Sequence, residues 1–393
     1  MYRFLISCVF LSFFFSTPQA QTLDVKKQLD MALQQYELML KEHPNTDKIP
    51  HSMYADGSLR DMPSDWWCSG FFGASLWYLY EYSGDTRLKE AAHRWTMAVE
   101  KEQYTTNTHD LGFMIYYPFG HAYRQTGKEE YKKILLQGAQ SLGTRFNKKV
   151  GLMKSWDDYP ACDFPVIIDN MMNLEYMIWA ARETGNSYFE EMAVSHADKT
   201  LANHFRKDKS SYHVVCYDSL GNVVLKKTHQ GYSDGSAWAR GQAWGLYGYS
   251  SMYRLTKKKR YLKQAQGIAD FYLAHPRLPA DKIPYWDFDA PGIPNEERDV
   301  SAAAIVSSAL LELSEMVGKK KATQYRAAAV QMLQSLSTDA YRNRPGEMHN
   351  FLLRHSVGHK PGGIEVDVPL IYADYYYIEA LLRYSRWQAS SKK

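Results

Sequence analysis

The strongest constraint on this chain is a punctuation mark that recurs between apolar stretches. A helical pattern closes on Ser/Thr, Gly and a polar residue, and a second helical pattern begins at once with an aromatic near its start. The mark reads SGDTRL at Ser83, TGKEEY at Thr126 and TGNSYF at Thr184. A glycine-free form, TKKKRY, stands at Thr256, and VGKKKATQY follows at Val317. Glycine closes a helix in a left-handed turn at little steric cost, so each mark predicts a tight αα-hairpin. These five hairpins account for ten helices. A first amphipathic helix over 23–41, with Leu29, Leu33, Tyr36 and Leu40 on its apolar positions, and a last one over about 368–386 bring the total to roughly twelve. The marks are spaced too widely and irregularly for a simple solenoid, which leaves room for long loops at the opposite helix ends. The expectation is an all-α fold, a closed toroid of six helical hairpins with long loops on one face. One stretch breaks the pattern: Tyr212–Asp218 alternates and turns into Val223–Leu225, predicting a surface β-hairpin.

The loops carry the unusual residues, and composition says what they are suited to. Of 393 residues, 30 are Tyr and 10 are Trp, enough for thick helix packing or for a cleft that stacks on ring-shaped ligands. A net charge of +4 without a long basic block excludes a nucleic-acid footprint. Arg3, the apolar run Phe4–Phe15 and the small-residue site at Thr17–Ala20 predict a signal peptide over 1–20. The expected mature chain, 21–393, is then a single catalytic domain, exported to the periplasm or secreted, with no membrane association after cleavage. It keeps Cys68, Cys162 and Cys216, an odd number, so at least one thiol is unpaired. No Cys/His spacing suggests zinc.

Two carboxylates stand at the front of apolar helices. Asp169 sits in VIIDNMMN, between Val166-Ile167-Ile168 and Met171-Met172. Apolar flanks disfavour its charged form, which suits proton donation near neutral pH; a helix N-cap is the plainer alternative. Asp110, in THDLGF, has the same two readings, and His109 beside it serves either as a ligand or as a structural histidine. Cleavage of a glycosidic bond typically uses two carboxyl groups. Asp157, Asp158 and Asp163 compete for the roles from more polar surroundings. The stretch HQGYSDGSAWARGQAW gathers His229, Gln230, Arg240 and Trp244. Arg240 and Trp244 are four apart and share a helix face, suited to a ring-shaped anion, although Arg240 capping an interior carboxylate is equally open. Trp67 with Phe71, and Trp156, add flat surfaces. Phosphate loops, a Ser/His/Asp signature and HExxH are all missing.

Taken together, WWCSGFFGASLWYLYEYSGD, THDLGFM, IDNMMNLEYMIWAARETGN, SYHVVCYD, HQGYSDGSAWARGQAWGLYGY and VDVPLIYADYYYIEALLR resemble the unsaturated glucuronyl hydrolases of glycoside hydrolase family 88. The resemblance spans nearly all of the mature chain in order. It implies an (α/α)6 barrel and removal of a Δ4,5-unsaturated uronic acid from lyase-generated glycosaminoglycan fragments of chondroitin, hyaluronan or heparin type. It implies Asp169 as general acid/base and Asp110 as the second essential aspartate. Arg240, Gln230, His109, Trp67 and Trp244 would bind the sugar, with His229, Phe71 and Trp156 matching less securely. No metal or cofactor is expected, and the partner is the saccharide, bound by a monomer or dimer. The loop Arg354–Gly363 matches a region that contacts the second sugar, where Lys360, Arg354 and His359 would hold a sulfate or face solvent. A pectin-directed rhamnogalacturonyl hydrolase and a non-catalytic sugar-binding protein are the alternatives.

Overall fold

The computed structural model describes residues 23–391, so the expected signal peptide lies outside the described residues. Twelve α-helices follow in order: α1 (Val25–Glu42), α2 (Gly70–Ser83), α3 (Thr86–Met97), α4 (Tyr117–Thr126), α5 (Glu129–Gly143), α6 (Leu174–Thr184), α7 (Ser187–Asn203), α8 (Ala239–Thr256), α9 (Lys259–Ala274), α10 (Val300–Ser314), α11 (Lys319–Leu336) and α12 (Ile371–Ser391). The hairpin marks behave as their chemistry requires. Gly84, Gly127 and Gly185 take left-handed φ values of 71°, 67° and 72° after α2, α4 and α6. Lys257 makes the same turn without glycine, at φ 56°. Gly318 departs from the pattern: it is extended, at φ −65° and ψ 153°, and opens α11 rather than closing α10.

Side-chain character sorts the helices into two layers. Every residue of α10 is buried, as are Gly70–Leu79 of α2, Ala239–Met252 of α8 and Ile371–Leu382 of α12. A helix apolar on all sides belongs in the middle. By contrast α3 buries only Leu88, Ala92, Trp95 and Thr96, the single stripe of an outer helix. In the inner layer α2 packs on α4, α6 on α8, α8 on α10, α10 on α12, and α12 back on α2. Short helices bridge α4 and α6: a π-helical turn at Gly112–Tyr116 packs on a 3-10 turn at Ile168–Asn173. Since α1 packs on α12, chain ends close the ring as the sixth helix pair. One apolar core runs through it from Val25 to Leu382.

The β-like stretch is more than the expected surface hairpin. Val214–Tyr217 is fully buried as the central strand of a three-stranded antiparallel sheet, between Phe164–Ile167 and Val223–Lys227. The apolar run before Asp169 is extended, and its buried backbone groups need partners, which this strand provides. A disulfide joins Cys162, just ahead of the first strand, to Cys216 in the second; Cys68 is a buried free thiol.

Candidate active site

The N-terminal ends of the inner helices meet at one end of the barrel. Trp67 precedes α2, Asp110 leads through the π-turn into α4, and Asp169 through the 3-10 turn into α6. Arg240 lies in the first turn of α8 and Tyr372 in that of α12. With the hairpin made by Ser356–His359 and Ile364–Val368, they enclose a cavity of about 320 Å³. Eight of the ten residues expected from sequence line it: Asp169, Asp110, His109, Gln230, Arg240, Trp67, Trp156 and His229. Phe71 and Trp244 are completely buried behind the wall. Phe71 packs edge-on to Trp67, and both Phe71 and Trp244 pack on Phe113.

Asp169 does not cap a helix with its side chain; it lies within the 3-10 turn, and its Oδ2 has no hydrogen-bond partner. Burial pushes its pKa up to about 7, against the pull of the Arg240 guanidinium and the backbone, while the charge of Asp110 pushes the same way as burial. The otherwise unpartnered indole N–H of Trp244 also favours the ionised form. Such a carboxyl is poised to hold or release a proton at neutral pH.

His213, which the sequence did not single out, stands behind it. Its Nδ1 accepts the backbone N–H groups of His229 and Gln230, each at 3.1 Å. The proton of the neutral ring is therefore on Nε2, which faces Asp169 Oδ2 at 3.6 Å. Burial holds His213 well below the usual histidine range, so it meets Asp169 uncharged. It lies inside SYHVVCYD, one of the stretches that carry the resemblance, but both of its tautomer-setting partners lie in another loop, so nothing local states its role.

Asp110 is fixed by Thr108, whose hydroxyl donates to Oδ2 at 2.6 Å, and it faces His109 Nε2 at 3.4 Å. Burial keeps His109 neutral by lowering its pKa. The two aspartate segments are tied together by Asn173: its Oδ1 accepts from Gly112 N–H at 2.9 Å, and its Nδ2 approaches His109 Nδ1 at 3.4 Å and donates to Asn170 Oδ1 at 3.1 Å. Asn170 in turn donates to the Met153 carbonyl at 2.9 Å. The two asparagines of DNMMN are thus the buried frame for both carboxyl groups.

Arg240 combines the two readings left open by its sequence. It lines the cavity, but it is 1% exposed and its guanidinium is engaged by Asp299 at 3.1 Å and by the carbonyls of Val357 and Gly358. It also lies over the rings of Trp238 and Tyr372. Asp299 is the side-chain N-cap of α10, so this inner helix contributes through the pair. Gln230 donates to the Gly358 carbonyl at 2.9 Å. Three of the other residues expected at this end form local ion pairs. Asp157 pairs with Arg145, Arg354 with Glu347, and Lys360 with both Glu296 and Glu297, while His359 Nε2 meets the His229 carbonyl.

An unsaturated glucuronyl hydrolase of Formosa agariphila is 41% identical over 364 residues, which cover 92% of this chain and 90% of that protein. The chain belongs to the unsaturated glucuronyl hydrolases. A crystal structure of an unsaturated glucuronyl hydrolase specific for heparin superposes with a TM-score of 0.91 at 48% identity, covering 93% of this chain and 98% of the other. The crystal structure of the Bacillus sp. GL1 enzyme, described as responsible for the degradation of glycosaminoglycan, gives 0.87 at 32% identity, over 92% and 97%. No protein-family model matches the chain. The expected α/α barrel is the fold of this hydrolase.

Proposed function

We propose that Asp169 is the acid/base with which this hydrolase removes a Δ4,5-unsaturated uronic acid from lyase-generated glycosaminoglycan fragments. One observation carries the reading: a buried carboxyl with a pKa of about 7 lines a sugar-sized cavity. An enol ether is protonated at C4, which places the positive charge on C5 and the ring oxygen. The Asp169 carboxyl donates that proton, and the resulting carboxylate takes one from the water that adds at C5. The hemiketal so formed opens at the C5–O5 bond, and the hemiacetal left at C1 releases the aglycone. Asp110, anchored by Thr108, supplies negative charge near the cation and holds up the pKa of Asp169.

The named relatives, described by heparin and by glycosaminoglycan, favour this class over pectin fragments. The Cys162–Cys216 bridge supports export, since disulfides persist in oxidising compartments. The decisive assay follows loss of the enol-ether ultraviolet absorbance with unsulfated and sulfated unsaturated disaccharides of chondroitin, hyaluronan and heparin type. Turnover of at least one is expected; absence of turnover with all of them overturns the proposal. Fractionation of expressing cells, with the protein recovered only in the cytoplasm, would refute export.

A further inference from the structure

The cavity must hold an anionic saccharide, yet its expected cation is already committed: Arg240 is engaged by Asp299 and two carbonyls. Lys360, the expected alternative, is held by Glu296 and Glu297 and lies over Trp286. The cavity is also lined by Arg60, on the strand Leu59–Met62, which no sequence pattern marks. Its Nη1 meets Glu365 Oε1 at 2.9 Å and its guanidinium lies 5.8 Å from the Tyr54 ring centroid; no other partner is found among the described residues. Arg60 lines the cavity, and the rest of its five-donor fork is unpartnered among the described residues.

Arg60 is also firmly seated. The same Glu365 oxygen takes His51 Nε2, and His51 Nδ1 meets Cys68 Sγ at 2.9 Å, both deeply buried. Glu365 sits at φ +56°, in the left-handed region that non-glycine residues seldom adopt. Its side chain fills the space that Gly358 leaves open; a Cβ on Gly358 would overlap the carboxylate. Against the upward push of burial, the His51 contact and the Arg60 guanidinium hold the Glu365 carboxyl below its usual range, so the anchor is ionised.

We infer that Arg60 is a substrate-binding residue that reads an oxyanion of the saccharide, with Glu365, His51 and Cys68 positioning it. The inference rests on the saccharide reading above. The oxyanion is either the uronate carboxylate or a sulfate ester on the adjoining sugar, since a guanidinium fork serves both.

The test compares wild type with Arg60→Gln, Arg60→Lys and Glu365→Gln on an unsulfated and a sulfated unsaturated disaccharide. Turnover by the wild type is scored first, because its absence defeats the function and not the role of Arg60; calorimetric binding of the same disaccharides then tests Arg60 alone. Arg60→Gln is expected to raise KM or Kd about tenfold to a hundredfold, the loss of a charge-assisted contact. An equal rise for both substrates identifies the carboxylate, and a rise for the sulfated one alone identifies sulfate. Arg60→Lys should recover part of the loss, and thermal melting checks that the variants fold. Unchanged affinity for both saccharides in folded Arg60→Gln overturns the inference. So does an Arg60→Gln phenotype confined to kcat and matched by Glu365→Gln, which would leave Arg60 as a prop.

Discussion

Asn173 spans the gap between the two aspartate segments, taking the backbone N–H of Gly112 at 2.9 Å while its amide nitrogen faces His109 and Asn170. The approach is so close that a Cβ on Gly112 would overlap the Asn173 amide oxygen. Gly112→Ala is expected to push these segments apart and cut kcat/KM at least tenfold, measured beside thermal melting. Asn173→Ala strands the Gly112 N–H in the core and should cost about 1–3 kcal/mol in denaturant unfolding. Wild-type values for both variants would show that the bridge is dispensable.

Replacing the proton donor should separate chemistry from binding. Asp169→Asn is expected to lower kcat by about 10²–10⁴, the usual worth of a positioned acid/base, with saccharide affinity nearly unchanged. Single-turnover kinetics with calorimetry measure the two effects independently, and a kcat within a factor of two of wild type would mean the acid lies elsewhere.

The pH profile follows from the same residue. The acid must be protonated at the start of the cycle, so kcat/KM is expected to fall about tenfold per pH unit once pH passes about 7. Stability has a related slope. Asp169 and Asp374, the latter buried against the N–H groups of Leu352 and Leu353, both have folded pKa values near 7, above the unfolded value. The folded state therefore holds more protons between about pH 4 and 7, and stability should decline as pH rises through that window. Denaturant midpoints across it should fall in wild type and fall less in Asp374→Asn; an identical slope in both would exclude Asp374 as a source.

Arg240→Ala should affect more than substrate binding. It leaves Asp299 as an unpaired buried charge at the start of α10, a loss expected to cost about 3–5 kcal/mol in unfolding free energy. The double variant Arg240→Ala/Asp299→Ala should recover part of that stability and little activity. A single variant as stable as wild type would contradict the pairing.

Reduction of the Cys162–Cys216 bridge should loosen the sheet that leads into Asp169. The 54-residue separation predicts a loss of about 4 kcal/mol for Cys162→Ser/Cys216→Ser. Equal melting temperatures with and without reductant would show that the loop is held by the strands alone.

What was legible in the sequence was whatever is written in short range. The hairpin marks around Gly84, Gly127 and Gly185 are local backbone events, and the layers follow from whether a helix is apolar on one face or on all of them. Apolar flanks around Asp169 carried its expected burial, and the order of motifs brought the family into view. Only the tertiary structure decided which groups face one another. The tautomer of His213 is set by the loop of His229 and Gln230, Arg240 is claimed by Asp299 fifty-nine residues on, and Arg60 is seated by Glu365 from the far end of the chain. These are long-range pairings of single polar groups, which leave no periodicity in sequence because each depends on the closure of the ring rather than on its neighbours along the chain.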